Sequence, residues 1–332
     1  MRKWNAISYL AIAMAVSFSS HAQTLKPSVI YDMGGKFDKS FNQSAYNGAE
    51  QFKKETGINY GEFEITNEAQ REQAMLRMAQ KGFSPIVAVG FQQAPVIEKV
   101  AKQFPNTQFV LIDAVLDMPN VRSVVFKDQE GAFLVGALAA MKSQSQHVGF
   151  IGGMDIPLIR NFACGFEQGA KYQQPAVKVQ VNMTGSTPSA WNDPTKGAEL
   201  AKAQFDQGVD VVFAAAGGTG VGIYQAAADG KKYAIGVDSN QNYLHPGVML
   251  SSMVKRVDVA VYNAFKDAQD GKFTAGEQSL GLKEQGVGWA LDEYNRPLVT
   301  PEMEKQMNDL RQAVIDGKVK VHDYNLTQSC QY

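Results

Sequence analysis

The chain has 332 residues, a net charge of −1 and an apolar content of 45%. That length suits two domains of ordinary size, and the composition is that of a globular protein. Basic and acidic residues are interspersed, which argues against a nucleic-acid face, since that would need a basic patch or stripe.

The first residues read as an export signal. Arg2 and Lys3 form a positive start, Ile7 to Phe18 an apolar core, and Ser20-His21-Ala22 a small-residue cleavage site. The core is short of the about 20 apolar residues that a membrane crossing needs. The expected mature chain begins at Gln23, and because no cysteine stands there, no lipid attachment is expected. The cysteines are Cys164 and Cys330. In an exported chain they either form a disulfide or remain as one buried and one exposed thiol.

Strand and helix then alternate. Strands are predicted at 29–32, 63–65, 86–89, 109–113 and 121–126, with helices at 44–55, 69–81 and 94–103 between them. A helix over 130–142 follows. The cycle restarts with strands at 147–151, 177–182, 209–214, 233–238 and 248–253 and helices at 160–172, 194–207 and 221–228. A helix over 258–270, an extended segment over 278–283 and a helix over 302–316 complete the pattern. Such alternation predicts parallel sheets with crossover helices on both faces.

The two cycles echo each other, which suggests a duplication. Phe41-x6-Gly48-Ala49 recurs as Phe162-x6-Gly169-Ala170, and Phe109 to Ala114 as Ala234 to Ser239. The expected fold is therefore α/β: two doubly wound Rossmann-like lobes, joined by three crossovers near Phe126, Met253 and Lys283. The first lobe is expected to hold 23–126 and 254–283, the second 127–253 and 284–332. Closure about such a hinge buries a ligand between the lobes.

Candidate ligand contacts lie where strands end and helices begin. Asp32 closes the first strand, and Phe41 and Asn42 open the helix after it, with Phe41 either facing a ligand or stapling that helix to the core. Asp113 and Asp238 end equivalent strands in the two halves, where a carboxylate either accepts hydrogen bonds from a ligand's hydroxyl or amine donors or caps the following loop. Trp191 precedes a helix beside a capping aspartate, where it serves either as a second flat platform or as a hydrophobic staple. Gly217 and Gly218 lie in a glycine-rich turn that opens a helix; its spacing fails the dinucleotide fingerprint, and a simple tight turn is the alternative. Lys255 follows the second crossover, either as a donor to hydroxyls held by Asp238 or as a solvated charge. No HExxH, G-x-S-x-G or Walker lysine is present, which lowers the expectation of an enzyme.

The run Asp38 to Gln43, with Phe109–Ala114, Gly149–Gly153, Ala215–Gly220, Gly236–Gln241 and Ser251–Asp258, resembles the basic membrane protein family of ABC-transporter substrate-binding proteins, which includes a purine nucleoside receptor. The resemblance covers essentially the whole mature chain. It implies a type I periplasmic-binding-protein fold with no cofactor and no catalysis. Its partners would be a small ligand, most simply a purine nucleoside, and an inner-membrane ABC permease. It further implies that Phe41 and Trp191 sandwich a base, that Asp113 reads it, that Asp32 is a further first-lobe acid of the site, that Asp238 and Lys255 hold the ribose, and that the Gly217-Gly218 turn supplies backbone contacts. Many relatives are lipoproteins; this chain lacks their signal cysteine, so a periplasmic monomer is expected. Trp191 stands where the family suggests phenylalanine. Riboflavin is an alternative ligand and a nucleoside-acting enzyme an alternative role. A sugar-repressor-type regulator shares the two-lobe fold but would need an N-terminal helix-turn-helix.

Overall fold

A computed structural model describes residues 25–330. The expected export signal lies outside the described residues. Among those described, no helix is long and apolar enough to cross a membrane.

The first cycle comprises β1 (Ser28–Tyr31), α1 (Phe41–Thr56), β2 (Gly61–Glu64), α2 (Gln70–Gln80), β3 (Ile86–Ala88), α3 (Ala94–Gln103), β4 (Phe109–Ile112) and β5 (Val121–Phe126). Helix α4 (Asp128–Lys142) leads into the second cycle. That cycle comprises β6 (His147–Met154), α5 (Pro157–Gln173), β7 (Lys178–Gly185), α6 (Pro194–Asp206), β8 (Val211–Ala215), α7 (Gly220–Asp229), β9 (Tyr233–Asp238) and β10 (Met249–Lys255). The chain ends with α8 (Val257–Gln269), β11 (Gly276–Leu280), β12 (Val287–Trp289), α9 (Pro301–Ile315) and α10 (Tyr324–Thr327).

The strands form two six-stranded sheets, ordered β11-β5-β4-β3-β1-β2 and β12-β10-β9-β8-β6-β7. Every pairing is parallel except β10 with β12. The chain passes between the sheets three times: after β5, after β10 and after β11. The two orders match position for position, so β4 and β9 are equivalent, as the duplicated motif predicts. Strands β1, β3, β4 and β8 are buried along their whole length, the pattern of parallel strands covered on both faces.

The repeated glycine has a packing cause. A β-carbon on Gly48 would fall 2.0 Å from the Asp258 carbonyl oxygen, and one on Gly169 would fall 1.9 Å from that of Phe133. Gly48 thus lets α1 press onto α8, and Gly169 lets α5 press onto α4. Helix α4 is itself buried nearly all round.

Several boundaries differ from expectation. Helix α1 starts at Phe41 rather than Ser44 because the Asp38 carboxylate accepts the backbone N–H groups of Ser40, Asn42 and Gln43, satisfying the first turn. The expected extended segment 278–283 is broken after Leu280. A turn at Gly281–Gly286, closed by the Gly286 N–H on the Gly281 carbonyl at 2.8 Å, sends the chain to β12 on the other sheet. Strand β10 runs on to Lys255, so the second crossing comes two residues later than expected. Cys164 and Cys330 are bonded, with Cα atoms 5.3 Å apart, tying the segment after α10 to α5.

Candidate functional site

The carboxyl ends of both sheets face one cleft of about 620 Å³, counted to its open mouth. Its walls include Asp32, Phe41, Asn42, Asp113, Trp191, Gly217, Asp238 and Lys255. Gly218 is buried but lies outside this lining. Residues not singled out from the sequence also face the cleft: Asp38, Phe91, Leu158, Ile159 and Phe162. Phe162 is the counterpart of Phe41 in the duplicated motif, so the echo held the signal that could have found it.

Asp113, just after β4, and Asp238, at the end of the equivalent β9, share a backbone conformation rare for a non-glycine residue, with φ of 70° and 63°. Such strain persists only where the surroundings enforce it. Here it turns both carboxylates into the seam between the sheets. Trp191 closes a short 3-10 turn, Pro188–Trp191. That turn is pinned by the Thr219 hydroxyl donating to the Ala190 carbonyl at 2.7 Å.

Lys255 is the electrostatic centre. Its side chain is 2% exposed, and Nζ donates to Asp113 Oδ2 at 2.7 Å and Asp128 Oδ2 at 3.3 Å. The same Nζ lies 5.3 Å from the Phe41 ring centroid, 5.1 Å from Phe126 and 5.5 Å from Phe162. Lys255 is thus not a solvated charge. Burial works against its ammonium, but Asp113, Asp128 and Asp238 together outweigh that and hold its pKa above the usual lysine value.

The buried acids also titrate above their usual range, which for them disfavours the charged form. Desolvation drives Asp128 up to about 8 and Asp238 up to about 6, in each case against the attraction of Lys255. Asp38 rises to about 7 by burial despite its three backbone hydrogen bonds. Asp113 Oδ1 is buried without a hydrogen-bond partner among the described residues. The Asn42 amide, in contrast, is spent on the protein. Its Oδ1 accepts from the Asp32 N–H at 3.0 Å, and its Nδ2 donates to the Asp32 and Gly35 carbonyls.

The halves are drawn together in this structure. Ser40 Oγ donates to Asp238 Oδ2 at 2.5 Å, Ser239 Oγ donates to the Ser40 carbonyl at 2.9 Å, and Gln241 Nε2 donates to the Lys39 carbonyl at 2.8 Å. The result is a cleft rich in acceptors and walled by aromatic rings. Among the described residues no group of His, Cys, Asp and Glu is placed to hold a metal ion.

The family model described as ABC transporter substrate-binding protein PnrA-like matches residues 27–325. An ABC transporter nucleoside-binding protein, BmpA, of Lactococcus lactis is 31% identical, over 96% of this chain and 97% of its own. A protein of Pyrococcus abyssi described as an uncharacterized lipoprotein is 33% identical, over 91% of this chain and 77% of its own. The crystal structure of an ABC transporter solute-binding protein from Aeropyrum pernix superposes with a TM-score of 0.83 at 30% identity, covering 90% of this chain and 93% of that one. The family is one of transporter substrate-binding proteins rather than enzymes, and the fold shared with the Aeropyrum solute-binding protein is the type I periplasmic one. The chain therefore belongs to the basic membrane protein family of PnrA-like substrate-binding proteins, and its role is to hold a small molecule outside the cytoplasm for an ABC permease.

Proposed function

We propose that the protein is a monomeric periplasmic receptor that captures a purine nucleoside between its two lobes and delivers it to the permease. The observation that carries this reading is the pairing of acceptors with flat walls. Asp32, Asp113 and Asp238 face a space bounded by Phe41, Phe91, Phe162 and Trp191. A nucleoside offers the matching chemistry: a planar base to stack, and N–H and O–H donors to give. Phe41 and Trp191 are assigned to the base faces, and Asp32 and Asp113 to its donors. Asp238 is assigned to the ribose, because Ser40 fills only one of its carboxylate oxygens. Lys255 joins it with the one N–H that Asp113 and Asp128 leave over. Gly217 contributes backbone, and Gly218 shapes the same turn. The Lactococcus relative's description as nucleoside-binding supports the ligand class. We assign 23–126 and 256–283 to the first lobe, since β10 carries Val254 and Lys255 into the second sheet, and the remainder of the mature chain to the second.

Nucleosides, free bases, flavins and sugars compared in a thermal-shift panel test the ligand class. A hundredfold excess over the dissociation constant stabilises by about 2.7 kcal/mol. Adenosine, guanosine or inosine is expected to raise the midpoint; no shift with any of them sinks the purine assignment. Asp238→Ala is expected to weaken nucleosides much more than free bases.

A further inference from the structure

Arg71 lies on α2, outside the lining of the cleft, and is only 5% exposed. Its Nη1 donates to Asp32 Oδ1 at 2.5 Å and its Nη2 to Gln92 Oε1 at 2.5 Å. Gln92 belongs to the short 3-10 turn Phe91–Gln93, which supplies Phe91 to the cleft. Its Nε2 points at Met154 Sδ, 3.9 Å away at the end of β6 on the opposite sheet. One guanidinium thus joins an acid in the cleft wall to a contact across the seam.

Asp32 Oδ1 also accepts the Met33 N–H at 2.7 Å, so that oxygen is filled from within the protein. Its Oδ2 is kept clear by Gly90: a β-carbon there would fall 2.4 Å from it, and the backbone φ of +100° suits glycine. A carboxylate pinned through one oxygen and open at the other is a directed acceptor. Without its cation, a buried carboxylate tends to take a proton and become a donor as well.

We propose that Arg71 is a positioning residue for ligand recognition: it holds Asp32 as a charged, oriented acceptor facing the cleft and couples that acceptor to closure through Gln92. The proposal rests on the nucleoside reading only for the choice of probe. The charged groups acting on Asp32 are Arg71 and Glu68. Burial, the largest influence, and Glu68 push its pKa up, and Arg71 opposes both without fully offsetting them, so Asp32 titrates above the usual aspartate value.

A double-mutant cycle with inosine tests the idea by calorimetry. Removing one partner of a buried charged hydrogen-bonded pair costs enough to weaken binding about tenfold or more. Arg71→Met is expected to lose that much. In an Asp32→Asn background it should add nothing, because the carboxylate it serves is gone. Equal losses in both backgrounds would mean that Arg71 merely supports the fold, and would overturn the proposal. Arg71→Lys, which keeps the charge but reaches only one partner, carries the same comparison if Arg71→Met does not fold. A second measurement needs no ligand: the side-chain carboxyl ¹³C signal of Asp32, assigned by its loss in Asp32→Asn. It should titrate at higher pH in the Arg71 variant than in the wild type, and an unchanged titration refutes the role. If the wild type binds no inosine, guanosine or adenosine, the nucleoside reading falls while this titration still decides the part played by Arg71.

Discussion

Replacing Lys255 by methionine keeps an unbranched side chain of similar length and deletes the charge. Asp113, Asp128 and Asp238 then share a buried space without their cation. Removing one member of a buried ion pair costs about 3–5 kcal/mol. Proton uptake limits the loss, and its pH dependence follows from the raised acids. An acid whose folded pKa lies above its unfolded value of about 3.9 contributes stability that is full below that value and lost as pH rises through the folded pKa. In the wild type this decline runs from about pH 4 upward, through about 6 for Asp238, about 7 for Asp38 and about 8 for Asp128. In Lys255→Met it should steepen, because the cation that favours the ionised forms of Asp128 and Asp238 is gone. Urea unfolding at about pH 5.5 and about pH 8.5 reads both effects. The expected loss is about 3–5 kcal/mol at the higher pH and roughly half of that or less at the lower. Adding Asp128→Asn should recover part of it. A loss that is equal at the two pH values, or below about 1 kcal/mol at the higher, would refute the picture of one lysine neutralising several buried acids.

Two further outcomes concern closure and stacking. Ser40→Ala removes the hydroxyl that spans the seam to Asp238, a hydrogen bond to a charged group worth about 1.5–3 kcal/mol. Stopped-flow release of a bound nucleoside should become about tenfold faster or more, with a larger radius of gyration for the ligand-free protein; an unchanged release rate would show that Ser40 does not hold the halves together. Trp191→Ala should weaken an aromatic nucleoside by about 1–3 kcal/mol while Trp191→Phe retains most of the affinity. An unchanged dissociation constant in the alanine variant would remove Trp191 from the stacking walls.

Much of this architecture was legible because the chain repeats itself. The strand–helix alternation gave the two sheets, and the paired Asp113 and Asp238 marked equivalent strand ends that meet at one cleft. The glycine in the repeated motif pointed to Gly48 and Gly169 before their role in helix contact was visible. What escaped depends on contacts between distant elements. Arg71 sits in the first turn of α2 among polar neighbours, a pattern typical of a solvated face, and only the packing of α2 beside β1 buries it against Asp32. Asp128 lies before the expected helix 130–142 and opens α4 only in the structure, and its closeness to Lys255 follows from two separate crossings converging. Asn42 was conspicuous beside Phe41, yet its amide braces the loop after β1. Phe162 was visible as an echo of Phe41 but gained a place in the cleft only once the sheets were set facing each other.

Neither sheet is built from one continuous stretch of chain. The first sheet receives its edge strand β11, at Gly276–Leu280, after the second has already received β6 to β10. It also waits for α8, which covers Phe52 through Phe265, their rings 5.3 Å apart. During synthesis from the amino end, a nascent chain stopped at Phe126 therefore lacks both its last hydrogen-bonded partner along β5 and the helix that shields α1. Assembly of the earlier half must stay unfinished until most of the later half has emerged, so a premature stop between the two would leave a sticky strand margin instead of a self-sufficient unit.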